Sequence, residues 1–197
     1  MIGFLEITYG PMFAGKTSHL LEKVNNFITC NKIKGNSVRV LMIYSKLDNR
    51  KDLHSVGDLS THSEFKLFNL PDRVDSIKIS KLNDIKESSL AKYDYLAIDE
   101  AQFYPDLCSF VKKNLKNGKY IHCAGLMTDH RKEPFGEFYK IVHLAAEATL
   151  IKAYCVKCRS LVKTGVFTKK IHDDMASSCV VDPGGSEKYV PVCAHHY

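Results

Sequence analysis

Eight consecutive residues, Gly10-Pro11-Met12-Phe13-Ala14-Gly15-Lys16-Thr17, fill every fixed position of the phosphate-binding pattern G-x-x-x-x-G-K-[ST]. The glycines let main-chain N–H groups close around phosphate oxygens, the Lys16 ammonium reaches the β and γ phosphates, and the Thr17 hydroxyl can ligate Mg2+. A nucleoside triphosphate is the expected ligand. Further on, the apolar run Tyr93-Asp94-Tyr95-Leu96-Ala97-Ile98 leads directly into Asp99-Glu100. An acid at the end of such a strand, beside the loop, is how phosphate-loop enzymes hold magnesium through a water. With Asp99 so committed, Glu100 is free to take the proton of an acceptor hydroxyl. Two alternatives stand beside that reading: a carboxylate at a helix start, or a residue that orients water in an ATPase. Arg50, in Leu47-Asp48-Asn49-Arg50, offers a guanidinium for bidentate phosphate binding, or is simply a solvated surface arginine.

A second cluster has metal chemistry. Cys155-Val156-Lys157-Cys158 is a C-x-x-C knuckle, and Cys193-Ala194-His195-His196 supplies a cysteine and a histidine three residues apart. Cys155, Cys158, Cys193 and His196 make a tetrahedral zinc set with no position left for water, hence a structural ion. His195 and Cys179 compete with His196 for the fourth place. The 34 residues between the pairs exceed the roughly 15 to 20 of common zinc ribbons, so the insert is expected to be a loop that the metal closes. A redox C-x-x-C would sit at a helix N-terminus next to a βαβ unit.

These groups need elements to hold them. Phe4 to Tyr9 reads as a strand before the loop, and Thr17 to about Asn31 as a helix whose N-terminus aims its dipole at the phosphates, with Gly35 as C-cap. Val38 to Tyr44 is a strand apolar on both faces, as in a parallel sheet. Ser45 to His62 is a long polar loop. Phe65 to Phe68 and Ser76 to Ile79 have strand character, and Leu82 to Leu90 could be helical. Pro105 and Asp106 start a helix that Gly118 ends, Lys119 to Ala124 is a strand, Gly125 to Gly136 a loop, and Gly136 to Ala148 an amphipathic helix. This predicts an α/β fold: a parallel sheet with helices on both faces and functional loops at the strands' C-terminal edge. After Leu150 the alternation stops, which divides the chain into an α/β domain over 1–150 and a small zinc-binding unit over 151–197.

The chain has 197 residues, enough for one main core, and its 45% hydrophobic and 25% charged composition is that of an ordinary globular protein. A net charge of +6 suits an anionic ligand without arguing for nucleic acid. The N-terminus lacks a signal-peptide pattern and no apolar run nears the roughly 18 residues of a membrane span. A cytoplasmic, intracellular protein that contacts no membrane is the expectation, and seven cysteines, an odd number without an export signal, argue for thiols and metal ligands rather than a disulfide framework. Phe103, Phe135 and Tyr189 could stack on a flat ligand or belong to the core.

Taken together, four ordered segments resemble the zinc-containing, tetrameric type II thymidine kinases over nearly the whole chain. Gly10 to Thr17 is similar to the family's Gly-Pro-Met-Phe-x-Gly-Lys-[Ser/Thr], Asp99-Glu100-Ala101-Gln102-Phe103 to its Asp-Glu-x-Gln-Phe, Pro134-Phe135-Gly136 to its Pro-Phe-Gly, and Gly184-Gly185-Ser186-Glu187-Lys188-Tyr189 to its closing Gly-Gly-x-x-x-Tyr. The resemblance implies a P-loop NTPase fold of RecA-like type with a zinc-tied lasso loop between Thr168 and Tyr189. It implies ATP-dependent phosphorylation of thymidine, and of deoxyuridine, at the 5′-hydroxyl, with Glu100 as base. ATP and Mg2+ would be handled by Gly10, Pro11, Met12, Phe13, Ala14, Gly15, Lys16, Thr17, Asp99 and Gln102, with Asp48 and Arg50 matching the family's Asp-x-Arg. The nucleoside pocket would take Met12, Phe103, Leu126, His130, Phe135, Thr168 and Tyr189, with main-chain groups around Val180, Val181 and Asp182 reading the thymine edge. Feedback inhibition by dTTP and a homotetramer come with the family, and nucleic acid is not a partner.

Three departures mark this chain. His130 stands where relatives usually place a phenylalanine, the segment from Cys158 to Lys170 is about three residues longer than in the animal enzymes, and the sequence stops at Tyr197 without their regulatory tail. Two rival classes share the phosphate loop: a nucleic-acid-stimulated ATPase using the knuckle as its binding module, and a non-catalytic nucleotide-binding regulator. Asp173, Asp174, Asp182 and Glu187 dilute the basic patch that the ATPase would need.

Overall fold

The structure is a computed structural model, and residues 3–48, 73–159, 162–171 and 184–197 are described. Six parallel strands form the central sheet: β1 (Phe4–Tyr9), β2 (Val40–Ser45), β3 (Val74–Ile79), β4 (Tyr95–Ile98), β5 (Tyr120–Gly125) and β6 (Glu147–Leu150), in the order β3-β2-β4-β5-β1-β6. The expected α/β sheet is present, and its pattern follows from side chains alternating across a pleat. On β2, Val40, Met42 and Tyr44 pack with Leu20, Leu21, Val24 and Ile28 of helix α1 (Lys16–Ile33). Leu41 and Ile43 turn to the other face, where helix α3 (Leu107–Lys116) buries Leu107, Phe110 and Val111. Strands apolar on both faces therefore have a helix on each.

Register brings the loop starts to one edge. Tyr9 of β1 is paired with Gly125 of β5, and Ile98 of β4 with Cys123, so Gly10, Asp99 and Leu126 all emerge from the C-terminal end of the sheet. The strand ending at Asp99 is not a direct neighbour of β1; β5 lies between them.

Two segments differ from the sequence reading. Leu82 to Leu90 is split into a 3-10 turn (Leu82–Asp84) and the short helix α2 (Glu87–Leu90). The Asp106 carboxylate accepts the N–H groups of Leu82 and Asn83 at 3.1 and 2.8 Å, and Ile85 is extended. Because Asp106 is so engaged, it does not cap α3; Glu137 instead accepts the Cys108 N–H at 3.0 Å. The helix expected over Gly136 to Ala148 is a 3-10 stretch, Phe138–Leu144, followed by β6. As an edge strand paired only with β1, β6 leaves three of its four residues exposed and carries no alternation to announce it. Phe65 to Phe68 lies outside the described residues, as does the loop from Asn49 onward. Beyond β6, β7 (Phe167–Lys170) and β8 (Tyr189–Val192) form a separate antiparallel pair. Among the described residues no helix is long and apolar enough to cross a membrane.

Under α1 the sheet carries polar groups where neighbouring strands carry apolar ones. His122 is fully buried, its Nε2 is 2.7 Å from the Thr8 hydroxyl and its Nδ1 is 3.1 Å from the Tyr95 hydroxyl. Buried Glu6 accepts from Tyr120 at 2.8 Å and pairs with Lys23 at 2.7 Å, while Lys23 also meets Glu147 at 3.2 Å. Burial, then the nearby His19 and Lys23, hold the His122 imidazole down at about 3. The unfolded chain therefore takes up this proton first, and stability present above the ordinary histidine value near 6.5 is lost as pH falls from there toward 3. We expect a loss on the order of 2–4 kcal/mol across that window. Urea unfolding at a series of pH values measures it. His122→Gln should be less stable at neutral pH but lose less on acidification; parallel curves for the two proteins would contradict this assignment.

Candidate functional site

The phosphate loop joins β1 to α1, and its shape depends on close backbone approach. A Cβ on Gly10 would lie 2.0 Å from the Ile151 carbonyl oxygen, so only glycine fits there. Gly15 and Phe13 both have positive φ, at 91° and 63°, which curls the amides of the loop inward as an anion nest requires. Lys16 is buried and its Nζ donates to the Pro11 carbonyl at 2.8 Å. The Thr17 hydroxyl donates to the Asp99 carboxylate at 3.0 and 3.2 Å, with both side chains buried. A hydroxyl and a carboxylate side by side at the start of a phosphate-binding helix are hard oxygen donors of the kind that could hold Mg2+.

Asp99 and Glu100 are adjacent in sequence yet serve different partners. Glu100 is left-handed (φ 48°, ψ 47°), so the chain turns sharply after β4. Its carboxylate accepts from Gln102 Nε2 at 2.6 Å, and Gln102 Oε1 accepts the Leu126 N–H at 2.9 Å. Gln102, expected among the cofactor-binding residues, thus has its amide bonded to Glu100 and to the loop after β5. Gly136 packs against the same residue, since a Cβ there would lie 2.0 Å from the Gln102 carbonyl oxygen. That explains the glycine of Pro134-Phe135-Gly136.

An aromatic wall stands nearby. Phe103 and Phe135 meet edge to face at 5.7 Å, and the His130 imidazole lies 5.9 Å from the Tyr189 ring. Phe135 and Tyr189 are mostly buried, and Phe103 and Leu126 are half-buried. His130 is therefore set beside Tyr189, although 59 residues separate them in the sequence. Thr168 on β7 accepts the Met12 N–H at 3.0 Å, which ties the phosphate loop to the β7–β8 pair. Asp48, just beyond β2, is buried, and Lys78 of β3, which the sequence did not single out, donates to its main-chain carbonyl oxygen at 2.8 Å. Arg50, Val180, Val181, Asp182 and Cys179 lie outside the described residues.

The four expected metal ligands converge. The ligand atoms of Cys155, Cys158, Cys193 and His196 all lie within 4.8 Å of one another. His196 Nδ1 is 3.6, 3.3 and 3.3 Å from the sulfurs of Cys155, Cys158 and Cys193, and the sulfurs of Cys158 and Cys193 are 3.7 Å apart. Tetrahedral zinc, with Zn–S of about 2.3 Å and Zn–N of about 2.0 Å, needs spacings of roughly 3.5 to 3.8 Å, so the set fits such an ion. Burial resists ionisation of Cys155, yet the main-chain N–H groups of Cys193, Lys157 and Cys158 hold its thiol down at about 6. The hydrogen bond to Cys155, and then burial, push the Cys158 thiol up. His195, the rival for the fourth place, is outside this cluster, its ring packed against His196 at 5.0 Å.

A protein-family model described as thymidine kinase matches residues 3–197. The chain belongs to the thymidine kinase family. It is 33% identical over 193 residues to the thymidine kinase of Choristoneura fumiferana entomopoxvirus, covering 96% of this chain and 93% of the relative. The thymidine kinase of Fowlpox virus is 30% identical over 192 residues (97% and 94%), and thymidine kinase 1 of Dictyostelium discoideum 31% over 196 residues (99% and 78%). Family membership gives the phosphate loop and the Asp99-Glu100 turn a common context, that of a phosphotransferase with two substrates. Within this family member, no signal in the sequence marked Gln102 as the brace of Glu100, because its partner Leu126 is 24 residues away and meets it only through the fold.

Proposed function

We propose that this chain transfers the γ-phosphoryl group of ATP to the 5′-hydroxyl of thymidine, and of deoxyuridine, with Glu100 as the general base. The observation that carries this reading is the division of labour at the end of β4: Asp99 accepts from the Thr17 hydroxyl, whereas the Glu100 carboxylate accepts from Gln102. A second carboxylate with a partner of its own supports a separate role for Glu100, toward the second substrate. Lys16 and the loop amides would bind the phosphates and Thr17 and Asp99 would hold Mg2+, whose charge offsets that developing on the transferred group. Gly10 to Thr17, Asp48 and Arg50 would form the donor side. Met12, Phe103, Leu126, His130, Phe135, Thr168 and Tyr189 would enclose the nucleoside, with Val180 to Asp182 reading its base.

Cys155, Cys158, Cys193 and His196 would hold a structural Zn2+ that ties residues 151–197 into one unit, distinct from an α/β domain over 1–150. Support for that division comes from the end of the central sheet at Leu150 and the separate β7–β8 pair. A homotetramer, feedback inhibition by dTTP and a cytoplasmic location rest on the resemblance to the type II enzymes.

Transfer from γ-labelled ATP, assayed with thymidine, the other deoxynucleosides and single-stranded DNA, tests the assignment. Labelled thymidine monophosphate should form, with deoxyuridine monophosphate next. ATP hydrolysis that rises only with DNA, and no labelled nucleotide, would instead support the ATPase reading and refute this one.

A further inference from the structure

Tyr197 follows His196 directly, and its side chain reaches from the metal cluster to the loop over 128–134. The Tyr197 hydroxyl donates to the main-chain oxygen of His130. The Lys132 ammonium lies 3.6 Å from the centre of the Tyr197 ring and 4.5 Å from that of Phe167, and those two rings meet edge to face at 5.6 Å. Lys169 Nζ donates to the main-chain oxygen of Tyr197 at 2.9 Å and lies 5.8 Å from the centre of its ring. A cation against two ring faces is attracted by both quadrupoles.

The loop is shaped to deliver that cation. Buried Asp129 accepts the N–H groups of Arg131 and Glu133 at 2.8 and 3.0 Å, closing a tight turn between them. Lys132 lies at the turn with φ 66°, a conformation a lysine keeps only where its surroundings hold it. The same loop carries His130, whose ring faces Tyr189, and Thr128 and Pro134 bridge its two ends.

We propose that Tyr197 and Lys132 are positioning residues, a strut through which the metal cluster fixes His130 and with it the nucleoside side of the pocket. This rests on the pocket assignment made above. The strut bypasses the Lys16–Pro11 and Thr17–Asp99 contacts, so its loss should weaken the acceptor and spare the donor.

Three variants of the full chain test it. Tyr197→Phe removes only the hydroxyl, Lys132→Met only the charge, and Lys132→Arg keeps a cation over the rings. The first two should raise the thymidine KM about 3- to 30-fold, with kcat, the ATP KM and bound metal within twofold of the parent protein, and Lys132→Arg should restore binding. An unchanged thymidine KM in both, or equal losses for both substrates with loss of metal, would overturn the proposal. Hydrogen exchange of the peptide spanning 128–135 reads the strut without any substrate. Exchange should quicken in Tyr197→Phe, in Lys132→Met and on metal chelation, and unchanged exchange in all three would refute the strut even if the acceptor were not thymidine. Quickened exchange in a protein that fails to phosphorylate thymidine would uphold the strut and refute only the pocket's assigned ligand.

Discussion

Glu100→Gln will lower kcat for thymidine about 100- to 10,000-fold, the range for loss of a general base, while both KM values stay within a few-fold of the parent protein. Glutamine is nearly isosteric, and its side-chain oxygen can still accept from Gln102 Nε2, which is 2.6 Å from the carboxylate. The left-handed turn at Glu100 and the Thr17–Asp99 pair are untouched, so what disappears is the ability to take a proton. Steady-state kinetics with each substrate varied in turn provide the check. A kcat within tenfold of the parent would mean that deprotonation is unimportant or done elsewhere, whereas a rise confined to the ATP KM would place Glu100 on the donor side.

Cys155→Ser should release the metal and unfold the unit around it. Structural zinc contributes an apparent 10–16 kcal/mol, roughly, in small zinc domains, far more than the described residues 151–197 can recover from one four-residue strand pair. Cys155 is the buried cysteine of the cluster, so its loss leaves a hole as well as a missing ligand. The consequences should reach the phosphate loop through the Met12–Thr168 hydrogen bond, so activity is lost along with metal. Metal analysis together with thermal unfolding measures both. Full metal retention and a parental unfolding midpoint would remove zinc from the account.

The glycine-rich loop, the acidic pair after an apolar strand and the converging Cys/His group were legible in the sequence because each rests on local residue types and spacing: G-x-x-x-x-G-K-[ST], Asp99-Glu100 directly after Ile98, and cysteines at C-x-x-C distance. The parallel sheet was legible because strands buried on both faces read as unbroken apolar runs. What escaped is set by distant partners. β6 has three of its four residues exposed and is a strand only because β1 pairs with it. Leu82 to Leu90 breaks because Asp106 captures its amides. Lys78, Tyr197 and Lys132 look like ordinary polar or aromatic positions until the fold sets them against Asp48, His130 and Phe167, and the bond from Gln102 to Glu100 likewise appears only in the fold.

A single-turnover experiment bears most directly on the central claim, that Glu100 activates a nucleoside hydroxyl beside an independently held ATP–magnesium site. Protein in excess is loaded with γ-labelled ATP and Mg2+, mixed rapidly with thymidine and quenched at intervals, for the parent chain and for Glu100→Gln. The account predicts a fast transfer of label to thymidine in the parent, and in the variant the same loading with transfer slowed about 100-fold or more. Equal transfer rates in the two proteins, or label released to water at the same rate with or without thymidine, would contradict it.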